Sequence, residues 1–203
     1  AVHGYDIPVR VAHPPAPPSA LSRLFAPMAR HLIETRALPA NDGVRIFLPM
    51  QAYLSEPDKL SPRRLFRLLA LQQAERAHRR EIQPLPTDTL TLDLFQLSEA
   101  VVTDYILARN FAGLRHDLVA LRRAVLQQRP QAALLNETER VMEEIYRHVL
   151  TAYPDVIPSP LSFAPKSEDS FAWAIEMSRK IAGTPRTRYR GCVKDLWLGK
   201  ILP

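Results

Sequence analysis

The chain has 203 residues, 46% of them apolar, and a net charge of +6 from 27 basic and 21 acidic side chains. That length and apolar share describe a globular protein with one good core, or two small ones, and exclude a disordered chain. A single cysteine excludes an internal disulfide and a cysteine-built zinc cluster, no apolar run reaches the roughly eighteen residues that span a bilayer, and six glycines against 19 prolines leave little for glycine-rich phosphate loops or doubly wound folds.

Residues 1–18 are proline-rich and polar, with Pro8, Pro14, Pro15, Pro17 and Pro18, and read as an extended arm. The chain begins at Ala1, as expected after removal of a methionine or of a longer leader. Its first residues hold no apolar h-region, so they are not a secretory signal. A helical pattern starts at Ser19 with Leu21, Leu24, Phe25, Met28 and Leu32, and Pro27 predicts a kink or restart within it. The turn PANDG follows at 39–43. VRIFL, at 44–48, could form one short strand or an extended crossing, and the crossing is preferred because no partner strand is evident.

Ser61-Pro62 is a strong helix start, and that helix runs to about Glu81 on a stripe of Leu65, Phe66, Leu68, Leu69 and Leu71. Arg76, Arg79 and Arg80 cluster at its end, where cations suit the helix dipole and also suit phosphate. The longest pattern spans 91–128, and Gly113 is expected to split it. Its second half repeats Leu114, Leu118, Leu121 and Val125, a core stripe too short for a coiled coil. Asn136 and Glu139 form a capping box for a helix to Ala152, with Glu143 four residues before Arg147. Pro154, Pro158, Pro160 and Pro165 then force an extended connector, and Ser167 or Asp169 caps a last helix that Gly183 ends.

The expected fold is mainly α: an irregular bundle of five to six helices with proline-rich connectors and extended tails. Its parts are an arm at 1–18, a helical body at 19–153, a connector at 154–166, a short helix at 167–183 and an anchor at 184–203.

Charge is uneven along this plan. From Arg179 to Pro203 there are seven basic residues and one acid, Asp195; that is 7 − 1 = +6, the whole protein's net charge. A basic segment on a neutral body predicts an interaction arm, with a solvated or self-docked tail as the alternative. Arg179, Lys180, Arg186, Arg188, Arg190 and Lys194 are the expected phosphate contacts, with Tyr189 available to stack on a base. Trp197, Leu198 and Ile201 are expected to bury against a partner, because a solvated arm has no use for large apolar groups. Arginine supplies 22 of the 27 basic residues, and its planar fork binds two phosphate oxygens at once.

No pattern predicts catalysis. The six histidines at 3, 13, 31, 78, 116 and 148 form no HExxH, no GxSxG is present, and Cys192 lies among arginine and glycine with no neighbouring histidine. Adjacent Glu143 and Glu144 point about 100° apart on a helix and cannot share a proton. No metal and no cofactor is expected. ERVMEEIYRHVLTAYPDV, at 139–156, resembles the first helix of the mitochondrial LYR-motif proteins, in which a Leu-Tyr-Arg triplet opens a three-helix bundle that binds acyl carrier protein. Here Ile145 replaces the leucine before Tyr146 and Arg147, PRRLFRLLALQQ at 62–73 is a looser echo, and too little chain follows residue 156 for two more long helices.

The expectation is therefore a non-catalytic structural subunit of a large multi-subunit assembly, a ribonucleoprotein such as an organellar ribosome, with RNA and neighbouring chains as partners. The lack of disulfides is compatible with the mitochondrial matrix, and a bacterial cytoplasm is the alternative. A peripheral, supernumerary subunit of a respiratory-type membrane complex is the competing reading, in which the basic tail meets anionic lipid.

Overall fold

The computed structural model describes residues 6–16, 32–52, 54, 60–80, 85–164, 166–182 and 188–203. The helical pattern expected from Ser19 and its kink at Pro27 lie almost wholly outside them, as do Gly183 and Arg186.

Among the described residues five α-helices carry the fold: α1 Pro62–Arg79, α2 Thr89–Asn110, α3 Arg115–Gln127, α4 Glu137–Thr151 and α5 Ser167–Ala182. The start signals act as local chemistry requires. The Ser61 side chain accepts from the Arg64 amide and Pro62 opens α1, while Asp88 accepts from the Thr91 amide at the head of α2. Asn136 and Glu139 close a complete capping box on α4. The long pattern breaks at Phe111, where a short 3-10 turn, Ala112–Leu114, reverses the chain into α3.

Helix α2 is the central element, and sixteen of its 22 residues are buried, Asp93, Glu99 and Asp104 among them. Leu65, Leu68 and Leu69 of α1, Leu118 and Leu121 of α3, and Met142, Tyr146 and Val149 of α4 complete the core. Asp104 fixes the helix directions. Its Oδ1 accepts from Gln72 of α1 at 2.7 Å and its Oδ2 from Arg122 of α3 at 2.7 Å. Arg64 of α1 meets Asp117 of α3 one to two turns earlier on both helices, so α1 and α3 run parallel, side by side on α2.

Two expectations are corrected. The VRIFL stretch enters a strand, Ile46–Pro49, where an extended crossing was preferred, and the proline-rich arm contributes another. The order is β1-β3-β2-β4, with β1 (Val9–Ala12) parallel to β3 (Ile46–Pro49), β3 antiparallel to β2 (Ala40–Asn41), and β2 parallel to β4 (Lys200–Ile201). Strands of two to four residues carry almost no alternation, so the sheet leaves no mark on the sequence pattern. Its register exists because the C-terminus returns to it: the amides of Lys200 and Leu202 donate to the carbonyls of Pro39 and Asn41 at 2.9 and 2.8 Å.

Candidate functional site

Residues 184–203 were expected to grip a partner, and 188–203 of them are described. They form instead a strap bound along the body, and each expected contact residue is placed as follows.

At the near end the Asn136 side chain donates to the Arg188 carbonyl at 3.0 Å, while the Arg188 residue itself is exposed. Tyr189 donates its hydroxyl to Asp93 at 2.7 Å, and burial holds its pKa well above the usual value. Its ring packs on the core and is not presented for base stacking. Arg190 takes both oxygens of Glu139 at 2.6 and 2.8 Å. Because Glu139 is also the capping-box residue of α4, one carboxylate both starts that helix and holds the strap.

Next, Lys194 pairs with Asp93 and donates to Gln96 at 2.6 Å. Burial opposes the lysine charge, but Cys192 and Asp93 raise its pKa above the ordinary value. Asp93 also receives the Cys192 amide at 2.9 Å. Burial, with Asp93 adding to it, pushes the Cys192 thiol up to about 12, so it is not the activated thiol that a basic neighbourhood would make.

Trp197 and Leu198, expected as partner anchors, are 0% and 1% exposed. The indole donates to Asp104 at 2.7 Å, lies edge-to-face with Tyr146 at 5.5 Å, and sits under the Arg122 guanidinium at 5.3 Å. Ile201 is half-buried in β4. The apolar side chains of the tail do need a surface, and the surface is their own protein's.

The arginine cluster at the end of α1 is the receptor for this strap. Arg76 donates to the carbonyls of Trp197, at 2.9 Å, and Leu198, and Arg80 donates to that of Leu202. Burial lowers the pKa of Arg76, a guanidinium kept in the interior to hold main chain. Arg79 pairs with Glu99 at 2.9 Å and also holds the Ala164 carbonyl at 3.0 Å. Arg129 pairs with Glu143 and Asp195, above the Tyr146 ring at 3.8 Å. Gly199 admits the closest passage: at φ +60 its missing Cβ would lie 2.7 Å from the Pro39 carbonyl. The Tyr146-Arg147 pair of the LYR-like stretch is likewise engaged internally, Tyr146 on Asp195 and Arg147 on Glu143 and the Pro130 carbonyl.

The strap's charge is therefore largely met by the body, through Glu139, Asp93 and Glu34, the last paired with Lys200. Lys180 pairs with Glu176 at 2.6 Å within α5, and Arg179 is exposed. Cationic surface lies elsewhere. Helices α1 and α3 together carry eight arginines against two acids, Glu75 and Asp117. Arg76, Arg79 and Arg122 are buried, whereas Arg63, Arg67 and Arg123 are exposed and take part in no ion pair among the described residues. Arg64, half-exposed, is held by Asp117. The sequence signal for this face was present but unread: Arg63 and Arg67 are one turn apart with no acid at helical spacing to neutralise them.

An apolar and polar cleft of about 720 Å³ also lies between the β1 end, residues 32–38 and the strap at 193–196, and Arg129 on its wall is already saturated by Glu143 and Asp195. Set beside known protein families, curated proteins and solved structures, the chain matches none of them.

Proposed function

We propose that the protein is a non-catalytic structural subunit of a large ribonucleoprotein assembly, of the organellar-ribosome kind, and that it meets RNA phosphates through the α1–α3 face rather than through the C-terminal strap. The observation that carries this reading is the placement of charge. The strap cations Arg190, Lys194 and Lys200 have acidic partners within the chain. Arg63, Arg67 and Arg123 sit on two parallel helices, exposed, with their forks directed to no acid among the described residues. Fixed arginines on a rigid helical surface suit a phosphate backbone, and no side chain has to be ordered from a loop to make the contact.

The test is binding to structured RNA and to anionic vesicles across a salt series. The triple variant R63Q/R67Q/R123Q is expected to bind RNA roughly tenfold or more weakly at low salt, with the log–log salt slope reduced by about two to three. R179Q/R188Q, which removes one exposed cation at the end of α5 and one at the start of the strap, is expected to change affinity less than about twofold. The reverse pattern returns RNA contact to the tail and overturns the assignment. Vesicle binding that falls in the triple variant while RNA is ignored replaces the reading with a membrane-peripheral subunit.

A further inference from the structure

One end of the bundle combines exposed rings with guanidinium groups. Tyr105 and Arg109 lie one turn apart on the last part of α2, with the Arg109 guanidinium 5.4 Å from the Tyr105 ring centre. The connector after α4 folds back over the same helix and lays Phe163 against Tyr105 at 5.3 Å, with an angle of 54° between the rings. Phe163 keeps 51% of its surface exposed, and Phe111, at the C-cap of α2, keeps 41%. Phe163 touches Tyr105, so the two rings form one continuous apolar patch, and such patches, unlike scattered exposed side chains, mark interaction sites.

Arg115 frames this end. It donates to the Ala108 carbonyl at 2.9 Å and stands 3.8 Å from Asp155 of the connector, whose turn presents Tyr153 at 72% exposure.

We infer that this end is a platform for the unpaired bases of a single-stranded stretch of RNA, an inference that rests on the RNA reading of the α1–α3 face and names which form of RNA it holds. The chemistry is complementary. An unstacked base has a π-face that an exposed ring covers whatever the sequence, and a guanidinium beside the ring meets the adjoining phosphate.

The experiment compares binding of a short unstructured RNA strand and of an RNA duplex of the same length to three proteins: wild type, F163L and R63Q/R67Q/R123Q. The single strand carries a fluorescent adenine analogue whose emission falls when it stacks on a ring. Phe163→Leu is chosen because the ring is half-exposed and the substitution keeps an apolar group, and Tyr105→Leu is a second variant on the same stack. Wild type is expected to prefer the single strand and to quench the analogue. F163L is expected to lose roughly tenfold in single-strand affinity, and the quenching, with duplex affinity and salt slope unchanged. Equal binding of the two RNAs by F163L and wild type, or equal loss for both RNAs, overturns the platform and leaves the phosphate face standing. Binding of neither RNA by wild type sinks the phosphate face itself. Insensitivity of RNA binding to both ring variants gives this end to a protein partner instead and rejects the inference.

Discussion

Trp197→Ala is expected to lower the thermal midpoint by roughly 10 °C, although the residue lies in the strap, six positions before Pro203. Truncating a fully buried tryptophan costs about 3–5 kcal/mol, and a chain of this size loses some 2–4 °C per kcal/mol. Three separate losses combine here. The ring leaves a void beside Tyr146, the Asp104 carboxylate loses a donor, and Arg122 loses the ring under its guanidinium. Leu134→Ala, at a site 56% exposed, is the control and is expected to stay within about 0.5 kcal/mol. Differential scanning calorimetry of both variants decides the point. Equal, small shifts would mean that the strap is an ornament on an independently stable body.

The second large effect is at Asp104. This carboxylate is 0% exposed and receives Gln72, Arg122 and Trp197, and so ties α1, α3 and the strap to α2 at one point. Asp104→Ala is expected to cost about 3–5 kcal/mol, because it leaves the buried Arg122 cation without its counter-charge. The same mechanism makes a further demand. Adding Arg122→Met to Asp104→Ala should recover part of the loss, since the second change removes the stranded cation. Chemical denaturation of the single and double variants measures the coupling. A double variant less stable than D104A by the full cost of an independent core substitution would contradict the account.

These interior charges explain which parts of the molecule are legible from sequence. Ser61-Pro62 and the Asn136–Glu139 box are read correctly because their physics is local: each cap satisfies amides two or three residues away. The fate of the tail is not local. Arg190, Lys194 and Lys200 find Glu139, Asp93 and Glu34, which lie 51, 101 and 166 residues distant. Segment net charge gives the sign of the partner but not its address, so a strap bound to its own body and an arm bound to RNA have the same composition. One hint was available. Asp93, Glu99 and Asp104 interrupt the apolar pattern of the longest helix, and acids on a buried face require basic partners from somewhere in the chain. Lys194 of the tail, Arg79 at the end of α1 and Arg122 of α3 supply them.

The sheet illustrates a different loss of information. Ala40 and Asn41 form β2 only because β3 and β4 flank them, so no pattern within two residues announces a strand. The cationic α1–α3 face, by contrast, is written in the sequence at Arg63, Arg67 and Arg123, and is obscured only by the larger charge excess of the tail.

The docked strap carries its own reporter, because the protein's only thiol, Cys192, lies within it. In the docked state burial pushes that thiol up to about 12, so at pH 8 far less of it is thiolate than in an unfolded cysteine. The decisive measurement is the rate of labelling by a thiol-disulfide reagent at pH 8, native against urea-unfolded protein. The account predicts markedly slower labelling in the native state; equal rates in the two states would contradict it.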